Sequence, residues 1–106
     1  MRNETHIQNI YWQDVKVEIS YTPDWLNLSK STSRTEGMTH IEIRSIEPKN
    51  APLPVTETGY RSEFVNDSCI DGIDGAVEYF VDRLDDEARL PDWKAYVESQ
   101  KQYALF

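Results

Sequence analysis

The stretch Asp14-Val15-Lys16-Val17-Glu18-Ile19-Ser20-Tyr21 alternates polar and apolar residues without interruption. A two-residue period puts all of its apolar side chains on one face, which is the pattern of a half-buried strand. Ile10-Tyr11-Trp12 precedes it and can form a partner strand, because Gln13-Asp14 between the two is short enough for a tight turn. The sequence therefore predicts a β-hairpin early in the chain.

A second alternating stretch, Thr39–Ile46, predicts the next strand. We expect it to pair antiparallel with Val15–Tyr21, since both stretches alternate cleanly. The predicted core then contains Val15, Val17, Ile19, Ile41 and Ile43. Between the two strands, the apolar segment 25–28 is expected to fold back over the sheet, and Ser29–Gly37 to form an exposed loop.

The chain after the second stretch is rich in proline. Pro48, Pro52 and Pro54 exclude regular pairing in a central strand, so residues 47–55 are predicted to form an extended, stiff connection. The turn at Thr58-Gly59 then leads into a short final strand, Tyr60–Val65.

The last third of the chain changes to a helical period. The apolar residues that share one arc are Ile73, Val77, Phe80, Val81 and Leu84. Asp71 or Asp74 can cap this helix, and Pro91 fits the first turn of a second one. That second helix is expected to end near Gln100 and to turn Trp93, Tyr96 and Val97 to the core. The predicted fold class is α+β: residues 1–100 form a single domain, a small antiparallel sheet covered by one or two C-terminal helices, and residues 101–106 form a C-terminal peptide tail.

The composition fits one soluble domain. The 106 residues are 39% apolar and 28% charged, which allows one hydrophobic core and not two. Cys69 is the only cysteine, so the chain has no internal disulfide, and a reducing, cytoplasmic location is expected. The sequence has no apolar segment of membrane-spanning length and no signal peptide at its start, so no membrane association is predicted.

The net charge of −8 is concentrated in one window. Residues 63–87 hold nine acids and one base, Arg83, which gives 1 − 9 = −8. This balance argues against direct nucleic acid binding, which needs clustered Lys and Arg. Helical spacing puts five of the acids in a stripe: Asp71, Asp74, Glu78, Asp82 and Asp85. Such a surface either attracts a basic partner or only keeps the protein soluble.

Signals for catalysis and for metals are weak. His6 and His40 do not lie at a metal-ligand spacing, and the Asp71–Gly75 segment lacks the later ligands of a calcium loop. We therefore predict no metal, no cofactor and no catalytic residue. A possible polar site is Glu57, Tyr60 and Arg61, in which Glu57 and Arg61 can pair. The alternative is a turn held by local hydroxyl hydrogen bonds and a surface ion pair.

Two blocks carry a family resemblance. His40–Arg44 (HIEIR) and Pro52–Ser62 (PLPVTETGYRS), followed by Phe64, resemble the block shared by a family of small, uncharacterised bacterial proteins that are often carried on plasmids or prophages. The resemblance extends over residues 38–106, including the acidic helix and a short C-terminal peptide. It implies a mobile genetic element as the source and no particular activity.

The terminal peptide Gln102-Tyr103-Ala104-Leu105-Phe106 resembles the motif by which bacterial proteins bind the sliding clamp. Leu105 and Phe106 match its apolar anchors and Gln102 its hydrogen-bonding amide, whereas Tyr103 and Ala104 depart from it. The resemblance implies partner binding through Gln102, Leu105 and Phe106. The alternative is that Leu105 and Phe106 fold back onto the core.

These observations favour a non-enzymatic accessory protein that acts through protein–protein contacts, with docking on a bacterial sliding clamp as the leading hypothesis. The alternative is an acidic nucleic-acid mimic that acts as an inhibitor. Its target would be a host defence, which makes it of anti-CRISPR or anti-restriction type, or a DNA-binding protein. The first would use the C-terminal peptide and the second the acidic stripe. High salt distinguishes them, because apolar anchoring survives screening.

Overall fold

Four strands followed by two helices make up the part of the chain that the structure describes, residues 4–23 and 37–104, with side chains up to residue 100. In this computed structural model the strands are β1 (His6–Trp12), β2 (Val15–Thr22), β3 (Met38–Glu47) and β4 (Tyr60–Asn66). A 3₁₀ turn (Asp67–Cys69) leads into α1 (Gly72–Ala88) and α2 (Pro91–Ala104). The predicted α+β class, an antiparallel sheet with C-terminal helices, is confirmed.

The strands form one antiparallel sheet in the order β1-β2-β3-β4, so each pairs with its neighbours in the chain. Ile10 lies opposite Val17, and Ile19 opposite Ile43. Gln13, in the turn between β1 and β2, has a left-handed backbone with φ 53°. Both the predicted hairpin and the predicted pairing of β2 with β3 are confirmed.

The core lies between one face of the sheet and α1. Val17, Ile19, Ile41 and Ile43 are each 0% exposed, which confirms the predicted register, because a one-residue slip would move all of them to the opposite face. Val15, the fifth residue of that prediction, is only half-buried. From α1, Ala76, Phe80 and Leu84 fill the same core. Burying side chains as large as Phe, Leu or Ile stabilises a fold by about 1.5–3 kcal/mol each.

The sequence predicted an extended proline-rich connection, and this prediction is wrong: the segment is folded into tight turns. Leu53 and Thr56 exchange backbone hydrogen bonds of 2.8 and 3.0 Å, and the Ser45 hydroxyl donates to the Ala51 carbonyl at 2.7 Å. The turns bring Leu53 and Val55 into the core, where they are 2% and 8% exposed. Proline excludes ladder pairing, but it also favours turns. The apolar residues between the prolines were the signal for burial.

Gly59 closes this connection. Its backbone has φ +79°, and a Cβ at this position would lie 2.8 Å from the Ala51 carbonyl oxygen. Its own carbonyl accepts a hydrogen bond of 2.7 Å from the Ser45 amide. A left-handed backbone and a close approach both require glycine. The predicted turn at Thr58-Gly59 is therefore present, and it fixes where β4 begins.

The second helix begins at Pro91 as predicted and continues to Ala104, four residues beyond the predicted end at Gln100. Trp93 packs against Trp12, with ring centroids 5.9 Å apart. None of the residues 91–100 is fully buried, so α2 is peripheral. The predicted covering segment at Trp25, Leu26 and Leu28 lies outside the described residues, as does most of the predicted loop Ser29–Gly37.

Candidate functional site

The outer side of α1 carries a row of carboxylates. Asp74, Glu78, Asp82 and Asp85 follow one another at intervals of three or four residues, and at about 100° per residue they fall within an arc of roughly 80°. All four are exposed, as is Asp71 immediately before the helix. We refer to these five residues as the acidic stripe. The stripe is a continuous, solvated surface of negative charge.

The single cation of α1 points away from this stripe. The Nη1 atom of Arg83 lies 2.8 Å from a carboxylate oxygen of Glu63 on β4, and its Nη2 atom lies 3.8 Å from Glu87. In residues 4–23 and 37–100, no salt bridge involves Asp74, Glu78 or Asp82. The helix carries six acids against this one base, a formal charge of 1 − 6 = −5. Within the described structure, the charge of the stripe is left to solvent or to a partner.

The two ends of the stripe differ in their structural contacts. Asp85 accepts a hydrogen bond of 3.0 Å from the indole nitrogen of Trp12, which ties the second half of α1 to the end of β1. Asp71 occupies the N-cap position that the sequence predicted, but its side chain makes no capping hydrogen bond. The three residues between these ends, Asp74, Glu78 and Asp82, form no salt bridge among the described residues, so they are suited to substitution.

On the side of α1 that faces β4, a polar network replaces apolar packing. The Glu63 carboxylate accepts hydrogen bonds from the Tyr79 hydroxyl at 2.6 Å, from Arg61 Nε at 2.8 Å and from Arg83 Nη1 at 2.8 Å. Arg83 Nη1 also donates to the Tyr79 oxygen at 3.0 Å. The Glu63 side chain is 16% exposed. Hydrogen bonds to a partly buried charge are worth more than those between neutral groups, so this network joins helix to sheet firmly.

The network shifts the pKa values of its members. Partial burial alone would raise the pKa of Glu63, but the hydrogen bonds from Tyr79 and Arg61 and the charge of Arg83 outweigh it, so that this pKa lies below its ordinary value of 4.5. Burial, followed by the hydrogen bond to Glu63, raises the pKa of Tyr79. Both groups keep their ordinary charge at neutral pH. The shift of Glu63 has the direction expected for a carboxylate that is paired with Arg61 and Arg83.

The three residues of the possible polar site do not meet. Arg61 lies on the core side of β4 and binds Glu63 and the Val55 carbonyl. Tyr60 lies on the opposite side, where its hydroxyl donates to the carboxylate of Glu42, which raises the pKa of Tyr60. Glu57 is exposed in the preceding turn, and Arg61 pairs with Glu63 instead of with Glu57. The hydroxyl oxygens of Thr56 and Thr58 lie 3.1 Å apart, and each is within hydrogen-bonding distance of the Tyr60 carbonyl oxygen.

A groove of about 380 Å³ lies where the proline-rich turns meet the junction of the two helices. Its apolar lining consists of Pro52, Leu53, Pro54, Leu90, Trp93 and Tyr96. Three carboxylates, those of Glu57, Glu87 and Asp92, also line it. Sequence reasoning missed this groove, because its walls come from segments about 35 residues apart. The sequence contains only two local signals for it. One is the cluster of prolines at residues 48–54, and the other is the apolar residue Leu90 directly before Pro91.

The remaining predicted residues give fewer observations. The backbone of Gln102 belongs to the last turn of α2, whereas Leu105 and Phe106 lie outside the described residues. The described part of the chain contains no group of three or more His, Cys, Asp or Glu side chains that could hold a metal ion. Cys69 is exposed. No helix among the described residues is long and apolar enough to cross a membrane.

Comparison with known proteins gives one result. Residues 5–93 match the family described as KlcB third domain. The matched range contains the whole sheet, the proline-rich turns, α1 and the first turn of α2, and it ends before the C-terminal peptide. No curated protein and no solved structure matches the chain significantly.

Proposed function

This chain belongs to the KlcB third-domain family, and we propose that it is a non-enzymatic accessory protein that acts by binding a basic protein partner through the acidic stripe. The family is plasmid-associated, which supports a role on a mobile genetic element. A single exposed thiol is compatible with a reducing compartment, so we place the protein in the cytoplasm.

The observation that carries this proposal is the arrangement of charge on α1. Carboxylates one turn apart on a helix stand about 5–6 Å from each other at Cβ, and like charges at this spacing repel. The only base of the helix is bound to Glu63 on the other side. A helix that served packing alone has no need of this uncompensated repulsion. A basic surface placed against the stripe would relieve it and would be steered to it at long range.

The same arrangement supports the mimicry of nucleic acid as the mode of binding. A strand of DNA carries about one charge per 3.4 Å of helix axis, and a row of regularly spaced carboxylates presents a comparable line of negative charge. A protein whose basic groove binds phosphates is therefore the partner class that fits the stripe. Host defence proteins and other DNA-binding proteins belong to this class.

Docking on a sliding clamp is a second candidate function. The peptide Gln102–Phe106 begins within the last turn of the peripheral helix α2. Because α2 continues to Ala104, an extended docking peptide requires that the last turn of the helix unwinds. Helix ends fray at small cost, and two apolar anchors can repay it.

The test is a pull-down from a bacterial lysate with four baits. These are the parent chain, the stripe variant D74N/E78Q/D82N, a control variant E4Q/E47Q/E98Q, and a chain that ends at Lys101. Both triple variants change the net charge from −8 to −5, and all six substituted side chains are exposed. Stripe binding predicts a protein that is retained by the parent and the control, lost by the stripe variant, and released by high salt.

Each candidate function has its own failing result. If the stripe variant and the control retain the same proteins at physiological ionic strength, the stripe is only a solvated surface. If the chain that ends at Lys101 still retains a sliding clamp, the terminal peptide is not the docking element. Loss of a clamp by the truncated chain alone, in a form resistant to salt, would support the second candidate over the first.

A further inference from the structure

The groove between the proline-rich turns and the helix junction is lined by both aromatic side chains and carboxylates. Trp93 and Tyr96 lie three residues apart on one face of α2, with ring centroids 5.1 Å apart and planes inclined by 32°. Glu57 and Asp92 are exposed carboxylates from the two opposite walls. No basic side chain is among the described residues that line the groove. Aromatic faces beside carboxylates form a strong binding site for an organic cation.

We propose that this groove binds an arginine side chain presented by a basic peptide segment of another protein. A guanidinium group is planar and weakly hydrated, stacks on aromatic faces and can donate two parallel hydrogen bonds to one carboxylate. The apolar lining at Pro54 and Leu90 suits the methylene stem of the arginine and the apolar neighbours in its peptide. Lysine, with a compact and strongly hydrated ammonium, gains less from the same walls.

The size and the support of the groove fit this occupant. Its volume of about 380 Å³ is at the lower end of the range for ligand sites, enough for one long side chain and part of its backbone. Trp93 is held from behind by Trp12 at 5.9 Å, and Leu53 is 2% exposed. Two of the walls are therefore fixed before a ligand arrives, which lowers the entropy cost of binding.

This inference uses residues outside the acidic stripe and does not depend on the proposed function. The stripe offers only charge, whereas the groove offers charge, aromatic faces and shape. One partner can use both surfaces, but either can fail alone. The experiment below separates them, because it reads a peptide that is too small to cover the stripe.

The test uses blocked pentapeptides of sequence Gly-Leu-X-Leu-Gly in which X is arginine, lysine or citrulline, titrated into isotope-labelled protein and followed by NMR. The arginine peptide should shift the Trp93 indole and the Leu53 and Leu90 amides, the lysine peptide should bind more weakly, and neutral citrulline should not bind. The variant E57Q/D92N should lose affinity for the arginine peptide by about tenfold, since it removes two charges beside the cation. The matched control D74N/E78Q, with the same change of net charge in the stripe, should bind as the parent does.

Three results would overturn the proposal. Equal binding of the arginine and citrulline peptides would show that the cation is not recognised. Equal losses in E57Q/D92N and D74N/E78Q would reduce the effect to net charge. If the parent protein gives the spectrum of a folded protein but shows no shift at millimolar arginine peptide, the groove is not an arginine site. None of these outcomes bears on the pull-down result for the stripe.

Discussion

The two sides of α1 are built on opposite principles. The inner side places Ala76, Phe80 and Leu84 in the core. These residues follow one another at a regular helical spacing of four. The outer side repeats the same three- and four-residue spacing with Asp74, Glu78 and Asp82, all of them exposed. Burial on the inner side stabilises the fold, whereas repulsion between like charges on the outer side destabilises it slightly.

The difference teaches where each property of the helix comes from. Stability requires the inner side to match the sheet closely, because interiors are close-packed and a missing methylene is felt. The outer side has no packing to satisfy, so its residues can be selected for charge alone. Substitutions on the two sides should therefore separate stability from binding, and the expected effects can be ordered by size.

The largest effect is expected for Phe80→Ala. Phe80 is 1% exposed and packs among the strand residues of the core, so truncation removes a large buried side chain and leaves a cavity. The free energy of unfolding should fall by about 3–5 kcal/mol. Urea unfolding followed by circular dichroism measures it, with Glu78→Ala on the outer side as control, which should stay within about 0.5 kcal/mol of the parent. Similar losses in both variants would remove the distinction between the two sides.

A smaller loss is expected for Glu63→Gln, which tests the polar network at the border between the two sides. The neutral amide cannot balance Arg61 and Arg83, and it faces both guanidinium groups with a weaker acceptor. We expect the free energy of unfolding to fall by about 1–3 kcal/mol. Glu78→Gln is the matched control, because it removes one carboxylate from the exposed stripe. A loss no larger than in this control would mean that the network adds nothing to stability.

The pH dependence of that loss follows from the direction of the Glu63 shift. Its pKa in the folded protein is below the ordinary value of 4.5, so the folded state binds this proton more weakly than the unfolded chain does. The stabilisation is present above the unfolded value and disappears as the pH falls through the folded value. The difference between the parent and Glu63→Gln should therefore be largest at neutral pH and should narrow below about pH 4.5. Unfolding curves for both proteins across this range measure it, and a constant difference would contradict the assignment.

The smallest effect, of opposite sign, is expected for D74N/E78Q/D82N. Removing the repulsion along the stripe should raise the melting temperature by about 1–3 °C at low ionic strength. The gain should vanish in high salt, where exposed charges are screened. Differential scanning calorimetry at two salt concentrations measures both. A fall in melting temperature would show that the stripe contributes to the fold, and the outer side of α1 would then resemble the inner one.

Local periodicity carried most of the fold. Val17, Ile19, Ile41 and Ile43 are recognisable as one buried layer because a two-residue period has a single solution, and the stripe follows from the helical period in the same way. The prediction of an extended connection was wrong for the proline-rich segment. Proline restricts its own backbone, but it does not determine the direction that the chain takes after it. Leu53 and Val55 enter the core because neighbouring hydrogen bonds fold the segment back.

The network at Glu63 and the groove beside Trp93 could not be predicted, because both depend on contacts between distant segments. Glu63 meets Tyr79 and Arg83 only when α1 lies at one particular angle across the sheet. Trp93 meets the proline-rich turns only after α2 has docked. The charged and aromatic residues can be identified in the sequence, but the side chains that they contact cannot.

The hydrogen bond from Trp12 to Asp85 spans 73 residues, which has a consequence for how the protein is made. Within this domain the sheet is synthesised before the helices, because β4 ends at Asn66 and α1 begins only at Gly72. Synthesis at about 5–20 residues per second then leaves the apolar face of the sheet without its helix for one to several seconds. In that interval the nascent domain exposes the apolar face of its sheet, which is the kind of surface that chaperones bind. Once α1 is made, Ala76, Phe80 and Leu84 cover that surface.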